Sequence, residues 1–486
     1  MRAWLSVLTG MAAAAALAAG APAVAQEGER IVNSPDRAAC ASEKLDKVIP
    51  ACTHILQDRA LKPGDAAIAL RNRGFAYQSK GDLTRAIADY DAAIGLGAGA
   101  AGGAAVLART LVNRGIAYAA KGDDARALAD YGQAIALDPR GGVAYLNRAA
   151  IALKRGDNAH ALADLTEAAR LMPREPAIFV SRGALYANSG DLDRAIADFS
   201  AAIALNPADP TAWRDRGIAR RKKGDNLQAS ADAAEALRLA PNLAGAHHDR
   251  ALSLQASGDA DQAIAEFGRA IALNPTDAET IKARGDAYLA QGQRDLAIAD
   301  YGQAIALDPG FRDAYNNRGA AHLAKADWDR AIADLGKVLE LDPGLAAAYL
   351  NRGQALEAKG ERDRAIADFD SVIRLTPGNA DAYRHRAFLR HAKGDNAGAL
   401  TDYARAVELN PTDEEAWRGR GLADFDGHQP DAAIADLSQA IALNARDALA
   451  YRFRSMAYGL KRDLKHANED DSTAIRLDPR LAKPLR

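Results

Sequence analysis

The sequence predicts an all-α fold, a solenoid of stacked helical hairpins, and three observations predict it. Prolines recur every 34 residues at Pro139, Pro173, Pro207, Pro241, Pro275, Pro309, Pro343, Pro377 and Pro411, and the step returns at Pro479. A Gly-Asp pair keeps the same step through Gly122-Asp123, Gly156-Asp157, Gly190-Asp191, Gly224-Asp225 and Gly258-Asp259. Between these marks the apolar residues recur at helical spacing. A fixed period of this length marks one supersecondary unit, stacked because it cannot bury its apolar face alone. Composition agrees: aromatics are only 6% of the 486 residues, which disfavours a β-sandwich, and the abundance of Ala favours helix.

Each unit reads as two amphipathic helices. In the unit from Ala108, Leu111, Gly115 and Tyr118 share one face of the first helix, and Ala127, Tyr131, Ala134 and Leu137 share one face of the second. Gly122-Asp123 breaks the chain between them, and Asp138-Pro139 ends the second helix. Twelve units follow, 67–100, 108–141, 142–175, 176–209, 210–243, 244–277, 278–311, 312–345, 346–379, 380–413, 414–447 and 448–481. Residues 482–486 form a short tail, and Gly95 to Gly103 is a Gly/Ala-rich joint after the first unit.

The ends read differently. Met1 and Arg2 precede an apolar run to Ala19, and Ala23-Val24-Ala25 has the small-residue pattern of a cleavage site. Residues 1–25 are therefore expected to be a secretory signal, and the mature chain is expected to be exported to a periplasm. No later stretch is apolar enough to span a bilayer. Residues 26–66 hold a decayed second helix around Leu45 to Cys52, an N-terminal cap for the stack. On one straight helix Cys40 and Cys52 would lie about 18 Å apart, so pairing them requires a turn. Export favours a Cys40–Cys52 disulfide; a reactive pair is the alternative, without the C-x-x-C spacing.

With the small residue, Tyr, Ala, Phe/Tyr and Pro in register, the repeat resembles the tetratricopeptide repeat family, from Ala67 to about Leu481. The resemblance implies a right-handed superhelix whose concave groove is lined by the first helix of each pair. It implies a scaffold that binds protein or peptide, not an enzyme. One departure is regular. Where the family has Leu before the small residue, this chain has Arg in every unit, from Arg73 and Arg114 to Arg454. An acid lies sixteen residues after each, from Asp89 and Asp130 to Asp470. Helical phase turns both into the seam between the two helices, so they are expected to form a structural ladder of ion pairs.

Chemistry is sparse. Gly97-Ala98-Gly99-Ala100-Ala101-Gly102 matches G-x-G-x-x-G but follows a helix, the wrong context for a dinucleotide site. No Lys precedes Ser or Thr, no H-E-x-x-H occurs, and the nine His lack ligand spacing. No catalytic residue, cofactor or metal site is expected. A net charge of -2 gives no footprint for nucleic acid.

The groove positions carried over from the family place Asn72, Asn113, Asn147, Asn317 and Asn351 on the inner surface, where Asn bonds the backbone of an extended peptide. Val112, Ile116, Val143, Leu146 and Val180 flank the first three of them as an expected row of exposed apolar contacts. Val143 stands where a basic peptide clamp would carry Lys. Arg384, Arg418 and Arg452 fall at equivalent inner positions and are expected to form a strip for an anionic partner. That strip supports the alternative function, a cell-envelope assembly protein that holds anionic polysaccharide or its synthesis machinery.

Overall fold

The structure, a computed structural model, describes residues 35–42, 44–97 and 103–482. The expected signal at 1–25, residues 98–102 of the joint and residues 483–486 of the tail lie outside the described residues. Those residues form twenty-six α-helices and a closing 3-10 turn at Pro479–Ala482, with no strand among them. The chain divides into two compact units, Met1–Gln262 and Ala263–Arg486.

In the first unit, α1 (Pro35–Cys40) and α2 (Leu45–Ile55) make the N-terminal cap. The turn between them brings the two cysteines together, and Cys40 and Cys52 form a disulfide with Cα atoms 4.9 Å apart. Both cysteines are buried with Val48, Ala51, Ala69 and Ala76, so the cap closes the open end of α3 (Pro63–Ser79). Thr53 on α2 accepts a hydrogen bond from Arg73 Nη1 at 3.1 Å, and Cys40 O accepts one from Asn72 Nδ2 at 3.2 Å. Four further hairpins have their first helices at Gly103–Ala120, Gly142–Lys154, Pro176–Asn188 and Pro210–Lys223. In the second unit the first helices are Ala278–Ala290, Arg312–Leu323, Ala346–Ala358, Ala380–His391, Glu414–Asp426 and Ala448–Leu460.

One turn serves nearly every hairpin. Gly122 takes φ 81°, the left-handed region where an added Cβ is penalised. Asp123 N then donates to Tyr118 O at 2.9 Å, closing the first helix. The Asp123 side chain in turn accepts from Arg126 N at 3.0 Å and caps the second helix. The Gly-Asp pair read from the sequence is thus a stop and a start in two residues. Within each hairpin, Gly115 lies so close to Tyr131 that a Cβ would sit 2.6 Å from its ring. Tyr131 is fully buried there, and desolvation raises its phenol well above the ordinary value.

Within each unit, the first helix of a hairpin packs against its own second helix and, in most hairpins, also touches the first helix of the next. The first helices therefore lie on the inner side of the stack, and their solvent-facing residues form one continuous face per unit.

Candidate interaction surface

The Arg–acid pairs set the frame on which this face is displayed. Eleven of them are observed, with both carboxylate oxygens taken by Nε and Nη2 at 2.5–3.0 Å. The remaining couple, Arg250 and Glu266, is divided between the two units. In Arg284–Asp300 the carboxylate's hydrogen bonds raise the guanidinium further above its ordinary value.

Two features were not read from the sequence. The guanidinium also lies over an aromatic ring three residues before it, as Arg352 does over Tyr349 and Arg216 over Trp213. Its third nitrogen reaches the preceding hairpin where a polar residue is offered, as Arg114 Nη1 does to Asp91 at 2.7 Å and Arg216 Nη1 to Ser200 at 3.0 Å. Each Arg thus orients its own hairpin and, in such cases, ties it to its neighbour. The aromatic at that spacing was a legible signal.

On the inner face of the first unit, most of the predicted groove residues are engaged within the chain. Asn72 holds the cap through Cys40 O, and Asn147 Nδ2 turns back to Val143 O at 2.9 Å. Asn113 differs: it is buried, and its Nδ2 has no hydrogen-bond partner.

The expected row of exposed apolar contacts is corrected. Leu146 is buried, Val112 packs against Leu111, Ala134 and Ala144, and Ile116 packs against Tyr118, Tyr131 and Ile151. Val180 packs onto Phe199 and Ile203, and Val143 is half-buried. The reason is the close approach of successive first helices, which turns groove-side aliphatics into seam residues. Hairpin five brings a residue that sequence reasoning missed. Asp215 occupies the place of Asn113 three periods on, is 1% exposed, and leaves Oδ2 without a partner. Burial pushes its carboxyl up to about 7, against the opposing pull of Arg214. Arg214 is itself committed to Asp249 at 2.6 Å.

The inner face of the second unit is a network of polar contacts between successive first helices. Asn317 Nδ2 donates to Asp286 Oδ1 at 2.8 Å, and Lys282 and Tyr301 bind the same carboxylate. Asn351 is half-buried. His385 Nδ1 meets Glu357 at 2.8 Å, and His391 Nε2 meets Asp426 at 2.9 Å.

The expected anionic-partner strip is also corrected. Arg384 binds Glu415 at 2.6 Å and Asp413 at 3.0 Å, Arg418 binds Asp447 at 2.6 Å, and Arg452 pairs with Asp471. Their charge is matched by acids of neighbouring elements, which single-helix spacing does not reveal. The basic run Arg220 to Lys223 is likewise drawn on, with Arg220 bound to Asp232 and Lys223 to Asp193. Among the described residues no group of His, Cys, Asp or Glu is arranged to hold a metal. No described helix is long and apolar enough to cross a membrane.

Paired helices stacked on a 34-residue period, with a continuous inner face in each unit, define an α-solenoid of the interaction-scaffold class. Sequence models described as tetratricopeptide repeat match residues 65–140, 181–244, 244–277, 319–380 and 350–414, and one described as TPR repeat matches 285–326. The chain is a multi-repeat tetratricopeptide-repeat protein. Proteins of this family are in general non-catalytic scaffolds that bind other proteins.

Solved structures similar to the chain include YrrB, titled a TPR protein with an unusual peptide-binding site. It is 26% identical over 37% of this chain and 95% of its own, with a TM-score of 0.34. PilF of Pseudomonas aeruginosa is 20% identical over 45% and 97%, with a TM-score of 0.39. The Cut9–Hcn1 structure is 16% identical over 88% and 95%, with a TM-score of 0.39. No curated protein matches the chain.

Proposed function

We propose that this protein is an exported scaffold whose first unit takes an extended segment of a partner polypeptide along its inner face. The observation that carries the reading is Asn113. A buried amide without a partner costs about 1–3 kcal/mol, and a turn of the Asn113 side chain toward the inner face on binding would relieve it by giving its Nδ2 a backbone carbonyl of the segment as acceptor. Asn72 and Asn147 each already donate within the chain, which centres the contact in the first unit on Asn113 of hairpin two. The preformed inner face limits the ordering entropy that binding would otherwise cost. The Cys40–Cys52 disulfide supports export, since such bonds persist in oxidising compartments. The polysaccharide alternative rested on Arg384, Arg418 and Arg452, which offer no unmatched charge.

A photo-crosslinking residue at Ala150, on the same face of hairpin three, tests the binding site in envelope extract. Crosslinking to a polypeptide is expected, falling about tenfold with Asn113→Ala and persisting with Asn147→Ala. A crosslink indifferent to Asn113→Ala, or none at all, would remove this reading. For export, N-terminal sequencing from cell fractions should find the chain outside the cytosol and beginning at Gln26. A cytosolic chain that retains Met1 would refute it.

A further inference from the structure

The second unit carries a surface of different chemistry. On the helix Ala380–His391, Asp381, Arg384, Phe388 and His391 fall at helical spacing on one face. Phe388 is 52% exposed, the most exposed aromatic among the described residues. It stands where Ile116 stands in hairpin two, but it does not sink into the seam. Leu422 and Met456 take the same place in the next two hairpins and are half-buried. Phe425 and Phe453 pack inward against Ala433, Leu437 and Ala450, whereas Leu449 and Leu460 are exposed at 40% and 50%. An apolar strip thus runs across three successive first helices. A strip of this kind marks a contact surface far more than scattered exposed residues do.

The charge around the strip is asymmetric in depth. The side chains of Arg384, Arg418 and Arg452 are only 18–25% exposed and lie against their acids. The side chains of Asp381, Glu415 and Asp426 stand outward at 58%, 55% and 46%. Five carboxylates (Asp381, Asp413, Glu415, Asp447 and Asp471) meet three guanidiniums here and Asp426 meets His391; the outward members are acids, so an approaching molecule meets carboxylate first.

We infer that the inner face of hairpins ten to twelve docks an amphipathic segment of a partner protein, its apolar side on Phe388, Leu422 and Met456 and its flanks basic. This rests on the reading of the chain as a peptide-binding scaffold and adds a second contact with its own specificity. An acidic segment is rejected because it would leave the outward carboxylates facing like charge. A purely apolar one forgoes the electrostatic contribution. The apolar strip supplies affinity and the carboxylates supply the choice of partner, so binding weakens as salt rises.

The test uses the full mature chain and three labelled synthetic amphipathic peptides that share one apolar face and carry Lys, Gln or Glu at the flanks. Fluorescence anisotropy should rank them Lys, Gln, Glu, with Lys about tenfold or more tighter than Glu at low salt and the gap closing at high salt. Phe388→Ser should weaken all three. Asp381→Asn with Glu415→Gln should abolish the ranking while sparing the Gln peptide. All these residues are exposed, and circular dichroism checks that the variants keep their helix content. A Glu peptide that binds as well as the Lys peptide, or Lys-peptide binding unchanged by Phe388→Ser, overturns the inference. If no peptide binds while the Ala150 crosslink still depends on Asn113, this surface fails and the scaffold reading stands. If the crosslink is absent as well, both fall.

Discussion

Asp300 is typical of the ladder acids: nearly enclosed, it gives both oxygens to Arg284. Removing only the guanidinium leaves that carboxylate without its counter-charge, whereas removing both leaves an apolar seam. Arg284→Met is therefore expected to destabilise its hairpin by about 3 kcal/mol, and the pair Arg284→Met, Asp300→Leu to recover most of that. Hydrogen exchange of the helices Ala278–Ala290 and Arg294–Leu307 would read it; a double variant as weak as the single one contradicts the argument. Asp215 behaves in the opposite sense. Its carboxyl holds a proton more tightly in the folded chain, with a value of about 7 against 3.8. Its contribution is therefore full below pH 4 and is lost as pH rises through 7, at about 1.4 kcal/mol for each pH unit between the two values. The helix Pro210–Lys223 should accordingly exchange faster at pH 8 than at pH 5, beyond the intrinsic pH effect on exchange chemistry. Asp215→Asn should flatten that difference; an undiminished pH dependence in the variant would refute the assignment.

The hairpin turn shows how little sequence an element needs and where this chain departs from it. Nine glycines take the left-handed conformation after the first helix, and Ala326, His428 and Arg462 are forced into it at φ 57°, 56° and 61°. Their Cβ atoms carry a strain of about 1 kcal/mol each. Ala326→Gly, His428→Gly and Arg462→Gly are expected to stabilise their hairpins despite glycine's unfolded-state entropy. Thermal melting of the triple variant checks this, and a lowered midpoint would count against it.

The cap is the other element that stands apart. Its short covalent loop is worth about 3 kcal/mol, and it is the only described cover over α3. Cys40→Ser with Cys52→Ser should therefore raise exchange in α2 and α3 while leaving the hairpin at Pro176–Leu205 unchanged. Equal exchange in both would mean that packing of Val48 and Ala51 alone holds the cap.

At the scale of the whole molecule, contacts are local within each unit: a hairpin meets its neighbours there, and no described residue depends on a distant segment of its own unit. Such a chain unfolds by repeats rather than in one step. Urea titration followed by circular dichroism and by Trp fluorescence should give transitions that do not coincide, because Trp213 lies in the first unit while Trp328 and Trp417 lie in the second. Coincident transitions would indicate one cooperative body.

The period, the hairpin, the Gly-Asp turn and the Arg–acid spacing were all legible in the sequence, because each depends on residues within one repeat. Helical phase alone turns Arg114 and Asp130 toward each other, and one glycine placed before one aspartate ends a helix and caps the next. What lay beyond the sequence was decided between repeats. Val112 and Ile116 carry the right phase for a groove but are drawn into a seam by the approach of the next first helix. Arg384 and Arg418 look like free cations until the following first helix brings Glu415 to one and its capping Asp447 to the other. Asn113 and Asn147 are alike in sequence and differ only in whether a carbonyl lies within reach. Local pattern determines which way a side chain faces; only the packed neighbour decides whether it is exposed, paired or left wanting a partner.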